Sequence, residues 1–380
     1  IFWIRPALRA HLCEPPPTRT SAGCCCQIMV RLSLAALCAG LTAGLAAELT
    51  FMPVLQASTA QWHTLTIEAV PLGNYGFDTY GFNGGVPGPT FRMQPGGTLQ
   101  VNFVNNLNAS GNNGDCATSV FCKGTTSNLH THGLHVSSQS TADGLEYNSD
   151  DIFIEVEPGS ETMYQFNLPE NHMGGTHWYH PHHHHATALQ AGGGAAGALI
   201  VEDPEGYLPA VYSSMVEKLL FIGGHNLRTL QDMAVSSEST LFATAFDTAS
   251  NDANLGTNVI FVNGIVYPTM SVTSGIWYRM RMVFAAVEQG LTLSVTTVTN
   301  GGACEFQLLA KDGVYLHTIP RAIPSIVLYP GARSDVALTC TCTAYPCEAK
   351  LTSTGARRLQ EKPAAGARRP QRAQPGPAPA

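Results

Sequence analysis

From Thr59 onward the chain is cut into short runs rich in Val, Ile, Thr, Phe and Tyr, each closed by turn residues: WHTLTIEAV, PLGNYG, TLQVNFVNNL, IFIEVEPG, TMYQFNLP and GALIVEDP. Runs this short, recurring about every ten residues with Gly and Pro between them, read as strands of a β-sandwich rather than as helices. A first sandwich is expected over 59–203, within a domain spanning 48–203. The rhythm resumes at Lys218 with LLFIGG, NVIFVNG, IWYRMRMVF, LTLSVTTV, FQLLAKDG, SIVLYPG and SDVALTC. That predicts a second domain over 209–348, joined to the first by a linker at 203–208. Composition supports the same fold class, because a charged fraction of 12% with 37 Gly and 24 Pro is poor in surface-helix residues and rich in turn formers. The 380 residues, 44% hydrophobic, suffice for two cores. The expected fold is all-β, with two sandwich domains in tandem.

Both ends of the chain read differently from its centre. Met29–Ala47, MVRLSLAALCAGLTAGLAA, has one Arg, an apolar run and a small-residue end, the pattern of a signal peptide directing a secreted or lumenal protein. Its apolar run is shorter than the ~20 residues of a spanning helix, so no stable membrane anchor is expected. Residues 1–28 have no periodicity and are expected to be a leader or an artefact of the gene model. Residues 355–380, rich in Pro, Ala and Arg, have almost nothing to bury and are expected to be disordered. A net charge of −7 without clustered Lys or Arg in the central part argues against nucleic-acid binding. Six cysteines, Cys116, Cys122, Cys304, Cys340, Cys342 and Cys347, remain after the signal; in an oxidising compartment an even number suggests disulfides, with Cys116 and Cys122 the first pair to expect across a short Gly/Asn/Ser loop.

Histidine is the residue type that points to chemistry. Ten of the 14 histidines lie between His130 and His185. In NLHTHGLHVS, His130 and His132 sit at period two, so on a strand both rings leave the same face. In GTHWYHPHHHHATALQ, His180 and His182 repeat that spacing. Two such pairs on neighbouring strands would make a four-imidazole site, and neutral imidazole suits Cu, Zn, Fe and Ni rather than Mg or Ca. His183, His184 and His185 read as surface or supporting residues, His135, His172 and His177 as neighbours rather than ligands, and His225 and His317 as structural.

The order of FNGGVPGPTFRMQPGGTLQVNFVNNL, HTHG, ADG, EPGSETMYQFNLP and GTHWYHPHHHHATALQAGGGAAGALIVEDP resembles the first cupredoxin domain of multicopper oxidases of the laccase-like kind. FVNGIVYP, YRMRMVF, LLAKDGVYL and YPGARSDVALT resemble that family's second domain, so the resemblance covers roughly residues 59–345. It implies cupredoxin-like Greek-key domains and copper as cofactor. His130 matches a type 2 copper ligand, and His132, His180 and His182 match type 3 ligands of a trinuclear cluster. Asp143, in ADG, matches an acidic residue that delivers protons to oxygen, and reads equally as a turn residue before Gly144. Where relatives carry Gly and Ser after the histidine run, this chain has His185 and Ala186.

The resemblance further implies one-electron oxidation of a phenolic, metal-ion or similar donor coupled to reduction of O2 to water. The family's type 1 copper needs a His2Cys set, and no Cys in this sequence has such a context, so the third cupredoxin domain is expected to be missing and half of the cluster ligands with it. The expected function is a copper-binding oxidoreductase carried by an incomplete chain. The alternative is a secreted copper-binding or copper-storage protein without turnover. An oxidase completing its cluster across subunits is disfavoured, since the missing motifs would still have to come from the same chain.

Overall fold

The computed structural model describes residues 27–34, 47–71, 78–109, 116–117, 122–226, 258–266, 268–287, 290–299, 301–344 and 347–356. Residues 1–26, the later part of the expected signal (35–46) and the tail beyond 356 lie outside them, as does the side chain of His225.

The first described strand is β1 (Gln27–Leu34). The first sandwich follows with β2 (Val54–Gln56), β3 (Trp62–Pro71), β4 (Asp78–Phe82), β5 (Thr90–Met93), β6 (Thr98–Asn105), β7 (His130–His132), β8 (Glu161–Asn167), β9 (Gly175–His180) and β10 (Gly197–Val201). Its sheets have the orders β2-β5-β10-β9-β7 and β4-β3-β6-β8. Alternation in β6 and β8 sends Leu99, Val101, Phe103, Tyr164 and Phe166 inward, where they meet Phe82, Phe91 and Leu199. Each such side chain contributes about 1.5–3 kcal/mol by leaving water.

The second sandwich contains β11 (Val216–Asn226), β12 (Asn258–Val262), β13 (Ile265–Val266), β14 (Thr269–Thr273), β15 (Tyr278–Ala286), β16 (Gly290–Val298), β17 (Ala303–Lys311), β18 (Val314–Tyr315), β19 (Arg321–Ile323), β20 (Ile326–Leu328), β21 (Arg333–Thr341) and β22 (Cys347–Ala356). One sheet runs β13-β12-β11-β15-β21-β17-β18, with β19 also on β17, and the other β14-β1-β22-β16-β20. Between them lies a separate core built around Leu220, Met280, Met282, Phe284, Leu338 and Leu351.

Two boundaries differ from the sequence reading. The first part of the expected signal segment is β1, which pairs antiparallel with β14 and parallel with β22. β22 carries the second sandwich to Ala356, past the expected end near Glu348 and into the expected tail, because Gly355 and Ala356 pair with Leu291 and Gly290. Cys116–Cys122 is a disulfide as the loop suggested. A second, Cys304–Cys340, crosses directly paired positions of β17 and β21, and Cys342 is also disulfide-bonded.

Every residue of β9 and β10 is buried. One face, with Tyr179 and Leu199, packs into the first core. The other presents Trp178, Ala196 and Ala198 to Phe221, Val283 and Ala285 of the second sandwich. The small alanines let the two sheets approach, and burial on both faces explains why GAAGALIV shows no polar alternation.

Candidate metal centre

β7 pairs antiparallel with β9 so that His130 stands opposite His180, Thr131 opposite Tyr179 and His132 opposite Trp178. Alternation then sorts the side chains: Thr131 and Tyr179 are buried toward the first core, while His130, His132, Trp178 and His180 share the other face. Pro181 has no N–H to continue the ladder, so β9 ends at His180 and His182 leaves the strand line. The His182 backbone N–H donates to Asn128 Oδ1 at 2.6 Å, which returns its ring to the same place. Ring centroids of His130 lie 5.7, 5.2 and 5.0 Å from those of His132, His180 and His182. His132 and His180 are 5.5 Å apart, and His180 and His182 5.7 Å. The four histidines expected as ligands are thus brought together.

Second partners fix the tautomers. His180 Nδ1 donates to the Pro181 carbonyl at 2.9 Å, leaving Nε2 as a bare acceptor. His130 Nδ1 donates to Asp150 Oδ2 at 3.0 Å, which likewise leaves its Nε2 available. Asp150 is itself anchored by the Thr131 backbone N–H at 2.8 Å from Oδ1. His132 Nδ1 faces His180 Nε2 at 3.3 Å, and one nitrogen each of His130, His132 and His180 falls within 4.8 Å of the others. Trp178 stacks on both His180 and His132 and limits their rotation. Burial, reinforced by the Arg333 guanidinium, pushes the His132 ring down to about 4. Burial likewise holds His180 well below its ordinary value and lowers His182, with His130 adding to both. These rings stay neutral near pH 7, with lone pairs open to a metal and no proton to displace.

The second sandwich closes one side of the centre. Arg333, at the start of β21, donates to the carbonyls of Gly331 at 2.9 Å, Asp312 at 3.0 Å and, across the interface, Thr176 at 3.4 Å. Gly133, at φ 99, turns the chain straight after His132. A Cβ there would stand 2.7 Å from both Arg333 Nη2 and His177 Nδ1, so only glycine fits.

Asp143 is not among the groups that touch these rings. It is exposed on a 3-10 turn over Thr141–Asp143, where its Oδ2 accepts from the Ser140 backbone N–H at 2.9 Å. The carboxylate against the histidines is Asp150, for which the only sequence signal is the acidic pair Asp150-Asp151 ahead of IFIEVEP. His183 lies apart, 3.4 Å from Glu155, and His135 and His172 pair with each other.

A donor set made only of converging imidazoles fits a borderline transition metal and suits copper. The family model described as multicopper oxidase matches residues 122–206, which include all four rings. The multicopper oxidase mco of Staphylococcus aureus is 24% identical over 267 residues, 70% of this chain and 49% of that protein. Over this span the chain is similar to the multicopper oxidases. An iron transport multicopper oxidase of Candida albicans is 27% identical over 277 residues, 69% of this chain and 36% of its own length. Among solved structures, a variant of the McoA multicopper oxidase of Aquifex aeolicus superposes with a TM-score of 0.53 at 20% identity, over 77% of this chain and 57% of that one. The laccase-like multicopper oxidase CueO of an Ochrobactrum species gives 0.52 at 17% identity, over 80% and 64%. These likenesses make the two sandwiches cupredoxin folds. The chain spans about half the length of the curated relatives named here, or less.

Proposed function

We propose that this chain holds half of a trinuclear copper centre of an oxidoreductase that takes single electrons from a phenolic or metal-ion donor and passes them to O2, giving water. The observation that carries this reading is the β7–β9 register, which sets His130 against His180 and gathers four imidazoles. Copper held by such nitrogens supplies the one-electron couple and the affinity for oxygen. The chain's own residues hold the ligands: Asp150 orients His130, the Pro181 carbonyl orients His180, Asn128 fixes His182, and Trp178 stacks on His132 and His180. By the family match His130 serves a type 2 ion and the other three serve type 3 ions. The expected proton donor, Asp143, would need the 140–144 turn to approach the rings.

The test is copper titration of the full chain followed by paramagnetic resonance and visible absorption. Copper should bind through imidazole nitrogen and be lost when His130 and His180 are both replaced by Ala, and no intense blue band should form. A strong blue band, or unchanged binding in the double variant, overturns the assignment. The second reading is a non-catalytic copper-binding or storage protein, which the same four imidazoles would serve; oxygen consumption by the copper-loaded chain with a phenolic donor separates the two.

Export is proposed with the function. Its support is the Cys116–Cys122 and Cys304–Cys340 disulfides, which belong to an oxidising compartment. No helix among the described residues is long and apolar enough to cross a membrane. N-terminal sequencing of the mature protein tests whether cleavage follows the signal at 29–47.

A further inference from the structure

Four residues past Pro181, the histidine run ends beside a disulfide. One ring nitrogen of His185 and the sulfurs of Cys116 and Cys122 all lie within 4.8 Å of one another. His185 holds φ 71, the left-handed conformation that a β-carbon disfavours. It thereby keeps the backbone turn that a Gly would make, while adding an imidazole where a Gly has none. The three groups differ in access: Cys116 is exposed, His185 half-buried and Cys122 buried. A disulfide with one exposed cysteine is open to attack by a thiolate from solvent.

We propose that Cys116, Cys122 and His185 form a second, redox-gated metal site that takes one Cu(I) ion once a low-molecular-weight thiol has opened the disulfide. Two equivalents of thiol are oxidised to their own disulfide, and their two electrons and two protons reduce Cys116–Cys122 to a pair of thiols. Binding of Cu(I) then releases both thiol protons and leaves the ion with two thiolates and one imidazole. Two thiolates select a soft monovalent ion, whereas the four-histidine centre offers nitrogen alone. The two sites therefore prefer different oxidation states of one metal. One cavity touches a residue of each: about 540 Å3 is lined by His182, His183, His184 and His185 together with Phe153, so the imidazole of the second site and a ligand of the first face the same space.

The test compares the full chain before and after anaerobic reduction with dithiothreitol and removal of the reductant, by Cu(I) titration against bicinchoninate. Other cysteines are reduced as well, so the readout is a difference. Reduced wild type should bind one equivalent more than reduced Cys116→Ser/Cys122→Ser, and the unreduced protein should gain nothing. His185→Ala, which leaves the disulfide intact and so stands independently of any folding defect in the serine variant, should surrender that extra copper to less competitor. It should also lose the nitrogen scatterer of that ion in X-ray absorption. Equal stoichiometry in reduced wild type and the serine variant, or unchanged affinity and absorption in His185→Ala, overturns the proposal. Neither outcome touches the four-histidine centre.

Discussion

Two residues around the four rings carry the sharpest single-site consequences. Asp150 grips His130 through Nδ1 and is tied to the backbone of Thr131. Carboxylates in that position orient the ring and raise its basicity, and their loss typically costs about 10–100-fold in metal affinity. Asp150→Asn should therefore weaken copper binding by at least about tenfold in a competition titration, while Asp143→Asn leaves it unchanged. An equal effect of the two variants would return the role to Asp143. His177 is the second case. It is buried, neither ring nitrogen has a hydrogen-bond partner, and burial with Arg333 beside it pushes its ring down to about 3 from an ordinary 6.5. A folded value below the unfolded one means that protons favour the unfolded chain. Stability is therefore full above about pH 6.5 and drains away as pH falls toward about 3. His177→Leu should flatten urea-unfolding stability across that window, and an unchanged slope would show that His177 finds a partner in solution.

At the level of elements, the period-two histidines and the turn-punctuated strands were legible because strand geometry writes itself into sequence. The register of β7 on β9 was not, since nothing in HTHG or GTHWYH says which histidine faces which. Asp150 was hidden for the same reason: it lies in an irregular segment and reaches His130 only through the fold. The ADG motif points to Asp143 instead, which caps its own turn. The Cys304–Cys340 bridge likewise joins cysteines whose pairing depends on the register of β17 and β21. β10 shows a stricter fit. A Cβ on Gly197 would fall inside the Tyr179 ring opposite, whose hydroxyl donates to the Pro89 carbonyl. Gly197→Ala should cost about 1–3 kcal/mol through overpacking, read as a lowered melting temperature, and a melt unaltered by the extra methyl would mean that Tyr179 can move aside.

Across the whole molecule, the two sandwiches are locked by buried charge. Asp335 Oδ2 accepts from Arg279 at 2.7 Å and from Arg281 at 3.1 Å, Asp203 from Arg279 at 2.6 Å, and Glu217 from Arg281 and Arg92 at 2.7 and 3.0 Å. Thr176 of β9 donates to Asp335 Oδ1 across the interface. Burial opposes the charge on Asp335, but Arg281 and Arg279 outweigh it and hold the carboxyl below its usual range. Asp335→Ala takes the shared, fully buried carboxylate from two buried guanidiniums, leaving Arg279 to Asp203 and Arg281 to Glu217, and should cost about 3–5 kcal/mol. If the cluster couples the sandwiches, urea unfolding should also split into two transitions; a single unshifted one would refute that coupling. The strand β1 reaches further still. Ile28 lies against Cys347 and Gln27 against Thr273, so its place between β14 and β22 comes into being only when the last part of the chain has been made. Under the proposed export, a leader at 29–47 that has already drawn the chain into a translocation channel is out of reach by then. On that proposal, whether the second sandwich is finished by its own leader or left with two open edges becomes a race between synthesis and export.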